Sequence, residues 1–113
     1  MKVFLDDERN WHQAGVTVDW IQTFTPEATI ALLETGLVDE VSLDNDLGLA
    51  PYPDGKPREG YNVFKWIEYK VATDDTYQPP FIHLHTANLA EERKMRLGLE
   101  SIARMLASRT KSA

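Results

Sequence analysis

The sequence over residues 41–48 is Val-Ser-Leu-Asp-Asn-Asp-Leu-Gly. Its first three residues are typical of a short buried strand, and polar side chains follow the strand directly. Ligands of parallel α/β sheets bind beyond the carboxyl ends of the strands. This stretch therefore predicts both a strand and the place of a functional site, at Asp44, Asn45 and Asp46.

Three further runs rich in β-forming residues predict strands at residues 2–6, 17–24 and 81–85. Between them, Thr25-Pro26-Glu27 combines a hydroxyl N-cap, a proline at the first helical position and a first-turn acid. Gly36 ends that helix. Apolar periodicity predicts two more helices, one starting at Gly60 and one from about Ala90 to Ala107.

Strands that alternate with helices favour a mostly parallel sheet with helices on both faces. We therefore expect an α/β three-layer sandwich with strand order 2-1-3-4 and no fifth strand. One connection is unusual, because only about ten residues join the first two strands, close to the minimum for a parallel crossover. Either this crossover is irregular or contains a single helical turn, or the second strand lies elsewhere than residues 17–24.

The chain has 113 residues, 42% of them hydrophobic, and no cysteine. This length fits one domain, which we place at residues 1–107, with a flexible tail over residues 108–113. The absence of cysteine excludes a disulfide scaffold, a zinc-thiolate site and a thiol nucleophile. No apolar run approaches ~18 residues and no signal peptide is recognisable, so we expect a cytoplasmic protein without a membrane span.

Acidic residues are concentrated in the first half of the chain. Residues 1–54 hold eleven acidic residues against two basic ones, within a net charge of −6 for the whole chain. This balance argues against an extended groove for nucleic acid, which normally presents a basic face. A divalent cation would account for carboxylates gathered in this way.

The end of the first predicted strand supplies the partner acids, Asp6 and Asp7. If the first and third strands are neighbours, these two carboxylates converge with Asp44 and repel one another unless a cation neutralises them. Mg²⁺ suits such oxygen ligands. The alternative is that these acids only cap backbone N–H groups. Asp46 either joins the metal site or forms the turn before Gly48.

Further candidates lie after the fourth strand and in the loop over residues 47–59. His85 is either an acid–base group or phosphate ligand, or an ordinary residue at the rim of the sheet. Thr86 either binds phosphate or simply ends the strand, and Asn88 is either a site residue or the N-cap of the last helix. In the loop, Lys56 and Arg58 either bind phosphate or are solvated charges.

Four motifs in order resemble the cyclic-phosphate processing receiver-like domains, a small divergent branch of the response-regulator receiver fold. They are Leu5-Asp6-Asp7-Glu8-Arg9, Ser42-Leu43-Asp44-Asn45-Asp46-Leu47-Gly48, Gly60-Tyr61-Asn62-Val63 and His85-Thr86-Ala87-Asn88. The resemblance covers residues 2–107 and implies a truncated, flavodoxin-like receiver architecture. It also implies that Asp6 and Asp7 hold Mg²⁺, that Asp44 occupies the phosphoryl-accepting position and that Thr86 binds a phosphate oxygen.

Three departures from ordinary receivers accompany the resemblance. We expect no counterpart of their fifth strand and its phosphate-binding lysine, and no full helix after the first strand. Asn45 stands where the branch is expected to have histidine, and an asparagine cannot titrate.

The leading hypothesis is a Mg²⁺-dependent phosphate-handling domain that acts on a phosphate-bearing small molecule or a cyclic phosphate at an RNA end. Asp44 would be the nucleophile or a metal ligand, and His85 would transfer a proton. The alternative is a non-catalytic interaction protein on the same scaffold, such as a phage or other mobile-element protein that binds a host protein.

Overall fold

The computed structural model describes residues 1–6, 20–45, 47–84 and 89–111. These contain four strands and three helices. In chain order they are β1 (Lys2–Leu5), β2 (Trp20–Thr23), α1 (Pro26–Leu33), β3 (Glu40–Leu43), α2 (Gly60–Thr73), β4 (Phe81–Leu84) and α3 (Leu89–Lys111). The second strand therefore lies within the predicted range, whereas the β1–β2 connection at residues 7–19 is outside the described residues.

All four strands form one parallel sheet with the order β2-β1-β3-β4. The register aligns their ends, since Leu5 pairs with Thr23 on one side and with Leu43 on the other, and Leu43 pairs with Leu84. The predicted strand order is confirmed. The carboxyl ends of all four strands consequently lie along one edge of the sheet.

The three helices pack on one face of the sheet. Val3 and Leu5 of β1 and Val41 and Leu43 of β3 share a buried apolar cluster with side chains of all three helices, namely Leu33, Val63, Phe64, Ile67, Val71, Met95 and Ile102. From β2 to β3 and from β3 to β4 the chain moves across the sheet in the same direction. Because such connections are right-handed, α1 and α2 lie on the same face of the sheet. Helical cover on the other face stays a prediction, because it depends on residues 7–19.

The opposite face carries aromatic and polar side chains. Phe4 is buried there, and the Trp20 ring meets it edge-on with the centroids 6.4 Å apart. The same indole lies 6.1 Å from the ring of His83, although these residues belong to the two outer strands. Trp20 and His83 therefore lean towards each other across the central strands.

The start of α1 follows its sequence signals. The Thr25 hydroxyl accepts a hydrogen bond from the backbone N–H of Ala28 at 3.1 Å, and Pro26 occupies the first turn. The chain leaves the helix through Gly36, whose φ of +74° favours glycine. None of the helices in the described part of the chain offers an apolar stretch that would reach across a bilayer.

The last helix continues to Lys111, beyond the predicted end at Ala107. Residues 108–111 are therefore helical, which corrects the predicted end of the helix. The reason is Arg109, whose guanidinium donates to the carbonyl oxygens of Val71 at 2.7 Å and of Asp74 and Tyr77 at 2.6 Å. These bonds hold the end of α3 against the end of α2.

Candidate functional site

Asp6 and Asp44 follow the last residues of two neighbouring strands. The backbone N–H of Asp44 donates to the Leu5 carbonyl oxygen at 3.1 Å, so the pairing of β1 and β3 continues to this level. The N–H of Asp6 donates to Thr23 on the other side at 3.2 Å. Since paired strands lie about 4.8 Å apart, the structure places these two predicted ligands side by side. Asp6 is buried and Asp44 is half-buried.

Five of the predicted site residues lie outside the described residues. They are Asp7, Asp46, His85, Thr86 and Asn88. Within the described ranges no group of three or more histidine, aspartate or glutamate side chains is arranged to hold a metal ion. The roles of these five residues therefore stay predictions.

Asn45 is fully buried and connects the end of β3 to the start of α2. Its side-chain Oδ1 accepts from the backbone N–H of Tyr61 at 3.0 Å, and its Nδ2 donates to Glu59 Oε2 at 2.9 Å. Its backbone carbonyl accepts from the Gly60 N–H at 3.1 Å. Asn45 is thus held from within the fold at the edge of the site, and its predicted contact with a substrate stays a prediction.

Gly60 is required by the close approach of α2 to the strand end. A Cβ atom at this position would lie 2.1 Å from the carbonyl oxygen of Asp44 and 3.2 Å from the Cα of Asn45. Both neighbours are backbone atoms, so no side-chain rotation relieves the clash. The Gly60-Tyr61-Asn62-Val63 motif thus has a physical reason, which the sequence alone did not provide.

The first turn of α2 has no unused backbone donors. The N–H groups of Gly60 and Tyr61 bond to Asn45, that of Asn62 bonds to the Glu59 carbonyl at 3.0 Å, and that of Glu59 donates to Asn62 Oδ1 at 2.6 Å. Helix starts often bind phosphate through such groups. This one is already satisfied internally, so an anion at the sheet edge needs other donors.

Glu59 contacts Asn45 at the edge of the candidate site, and the sequence did not indicate this contact. Its Oε2 accepts a hydrogen bond from the Asn45 side-chain amide, and its Oε1 lies 3.4 Å from Nζ of Lys94 in α3. Lys94 also contacts Glu91 at 3.3 Å and lies 4.0 Å from the Tyr61 ring centre. Burial alone would lower the pKa of Lys94, but the two carboxylates outweigh it and raise that pKa. The sequence provided little indication of Glu59, because its contacts with Asn45 and Lys94 join segments that are far apart in the chain.

The loop over residues 47–59 contains no helix or strand, as predicted, and bounds a pocket of about 270 Å³. The pocket lies beside Asn45 and is lined by Leu47, Leu49, Pro51, Pro57, Arg58 and Glu59, among others. The lining is thus largely apolar, and it includes one cation and one carboxylate.

The two loop cations have different surroundings. The Lys56 side chain is 80% exposed, and its nearest acid is Asp54 at 4.0 Å. Arg58 is 27% exposed, and its Nε and Nη2 both donate to Glu27 Oε1, the former at 3.0 Å. Tyr52 donates to the other oxygen of Glu27 at 2.9 Å. Burial would raise the pKa of Glu27, but Arg58 and Tyr52 hold it below its usual value.

One protein family matches this chain. The family described as the cyclic-phosphate processing receiver domain covers residues 1–101. Neither a curated protein nor a solved structure shows a significant match. The matched range includes all four strands, the first two helices and the predicted site residues.

Proposed function

The chain belongs to the family of cyclic-phosphate processing receiver domains, and on that premise we propose that it handles phosphate esters with Mg²⁺. The observation that supports this proposal is the placement of Asp6 and Asp44 at the ends of two paired strands. Such an edge is where parallel α/β sheets bind ligands. The substrate class that the family suggests is a cyclic phosphate, including one at an RNA end.

The carboxylates of the predicted site suit a magnesium ion by their chemistry. Asp6, Asp7 and Asp44 would hold it, and Asp46 would be a further ligand, because carboxylate oxygens are the ligands that Mg²⁺ prefers. The ion would polarise a phosphoryl oxygen and offset negative charge in the transition state. Carboxylates on neighbouring strands also repel each other in the absence of a cation, so a bound cation would relieve this repulsion.

The remaining steps belong to the side chains around that edge. Asp44 would accept the phosphoryl group or ligate the metal, and Thr86 would donate its hydroxyl to a phosphate oxygen. His85 would transfer a proton, and Asn88 would bind the phosphate or substrate. Asn45 would keep Asp44 in place through its bonds to α2, because both polar atoms of its side chain are engaged there.

One observation favours a second candidate, a receiver-like interaction protein without catalysis. The position directly after Asp44 holds a buried asparagine, which cannot titrate and has no exposed atom. The domain would then bind a partner protein rather than turn over a substrate. Such a role requires an exposed surface but no acid–base group at this position.

A magnesium titration followed by thermal unfolding tests the metal. At ~100 times its dissociation constant, Mg²⁺ should stabilise the protein by roughly 2.7 kcal/mol. Asp44→Asn should raise the stability of the metal-free protein, because one repelling charge is removed, and should abolish most of the magnesium effect. Asp54→Asn, at an exposed loop position, is the matched control. An undiminished magnesium response in Asp44→Asn would place Asp44 outside the site.

A turnover assay separates the two candidates. If the protein is catalytic, it should open nucleoside 2′,3′-cyclic phosphates or hydrolyse related esters when Mg²⁺ is bound, and His85→Ala should lower the rate by about 10²–10⁴-fold. Asp7→Ala should lose metal and activity together. Asn45→His should raise the rate if this position transfers a proton. An absence of turnover over a panel of phosphates, with Mg²⁺ demonstrably bound, would leave the interaction protein as the better description.

A further inference from the structure

We propose that the pocket beside Asn45 is an oxyanion site in which Arg58 binds the phosphate of an organic phosphate ester. In the ligand-free protein, Arg58 instead forms an ion pair with Glu27. The choice of phosphate rests on the proposed function, whereas the site itself rests on the geometry of these side chains. Arg58 would thereby supply the cation that ordinary receivers take from a lysine.

The contact between Arg58 and Glu27 is the first step of the argument. Arginine binds a carboxylate or phosphate best with two parallel N–H groups on two oxygens. Here Nε and Nη2 converge on the single oxygen Oε1 of Glu27, while Tyr52 takes the second oxygen. The guanidinium is therefore engaged, but not in its strongest arrangement. A phosphate group offers the two oxygens that this contact lacks.

The exposure of the pair makes exchange feasible. The Glu27 side chain is 50% exposed, and Arg58 is less exposed, at 27%, because it also lines the pocket. Ion pairs between partly exposed side chains contribute little to stability, since water competes for both partners. Glu27 is not among the residues that line the pocket. A ligand can therefore approach Arg58 from the pocket while Glu27 departs to solvent.

The other charges around the pocket single out Arg58. Lys56 does not line the pocket and is almost fully exposed. Glu59 does line it, and its carboxylate would oppose an anion, but Lys94 and the Asn45 amide already compensate that charge. When Glu27 leaves, Arg58 becomes the positive group among the described lining residues.

The walls of the pocket indicate what accompanies the phosphate. Leu49, Pro51 and Pro57 present apolar surface, and the volume of about 270 Å³ exceeds the needs of an inorganic ion. Apolar walls beside one cation suit a phosphate ester with a compact organic group, since burial of that group adds to the affinity.

A phosphate titration in the presence of EDTA tests the site without the metal. The probes are inorganic phosphate and phenyl phosphate at constant ionic strength. The readouts are the side-chain Nε–Hε resonance of Arg58 and, so that every variant can be measured, the backbone amide resonances of Leu49 and Glu59, which line the pocket. We expect a saturable shift, with tighter binding of phenyl phosphate. Glu27→Gln should bind about two- to fivefold more tightly, because the competing carboxylate is gone.

The matched pair of variants is Arg58→Ala and Lys56→Ala, since each removes one positive charge from the same loop. Arg58→Ala should weaken binding at least about tenfold, and Lys56→Ala should change it by less than about twofold. Unchanged binding in Arg58→Ala, equal losses in both variants or weaker binding in Glu27→Gln would overturn the proposal. An intact magnesium response beside such a result would leave the proposed function standing.

Discussion

Replacing Gly60 by alanine tests the contact between the start of α2 and the end of β3. The new Cβ would lie 2.1 Å from the Asp44 carbonyl oxygen, where ordinary contact begins near 3.4 Å. Overpacking of this kind costs roughly 1–3 kcal/mol. Weakening of the two hydrogen bonds from Gly60 and Tyr61 to Asn45 costs about 1 kcal/mol each. The higher helix propensity of alanine relative to glycine offsets up to ~1 kcal/mol of this loss.

The expected net loss is about 2–4 kcal/mol in the free energy of unfolding. Urea unfolding measures it directly, and the melting temperature should fall by roughly 8–16 °C for a domain of this size. Gly98→Ala is the matched control, because its Cβ would meet the ring of Phe64 at 2.4 Å rather than backbone. A ring can move aside, so this loss should be smaller. Stability of Gly60→Ala within about 0.5 kcal/mol of wild type, or a larger loss in Gly98→Ala, would refute the reasoning.

Three further predictions concern other contacts described above. Asn45→Asp places a buried carboxylate against Glu59, so its stability relative to wild type should be lower at pH 8 than at pH 5; equal deficits at both values would contradict this. Arg109→Ala removes the donor to three carbonyl oxygens and should cost roughly 1.5–3 kcal/mol in urea unfolding, with Arg104→Ala as a control on an exposed part of α3. Because the folded-state pKa of Glu27 is lowered, its contribution is present above its usual pKa and is lost as the pH falls through the lowered value. The stability of Glu27→Gln should not include this pH-dependent contribution. Identical acid unfolding curves for wild type and Glu27→Gln would show that the Glu27 carboxylate makes no such contribution.

Much of the fold was predictable from local signals. Short apolar runs that end in polar residues located the strands, and the capping signals at Thr25 and Pro26 located the start of α1. The receiver-like strand order was predicted from the pattern of strands and helices and is confirmed. The end of α3 was predicted too early, because Arg109 acts on carbonyl groups more than 30 residues away in the chain. Local periodicity carries no information about such a contact.

The candidate site was predictable in its position but not in its supporting contacts. Asp6 and Asp44 were recognisable because acids at strand ends are unusual without a function. The part played by Asn45 depends on α2, which reaches it across a loop of irregular structure. Arg58 and Lys56 are equivalent by composition, and only their different burial and partners separate them.

Both ends of helix α2 form hydrogen bonds to other parts of the protein. The first turn of most helices leaves backbone N–H groups open to water, and these amides exchange rapidly with deuterium. Here Gly60, Tyr61 and Asn62 each donate to a protein acceptor, and Arg109 binds carbonyl groups at the far end. These bonds oppose fraying at both ends of the helix. Its amides should therefore exchange at nearly uniform rates that follow global unfolding.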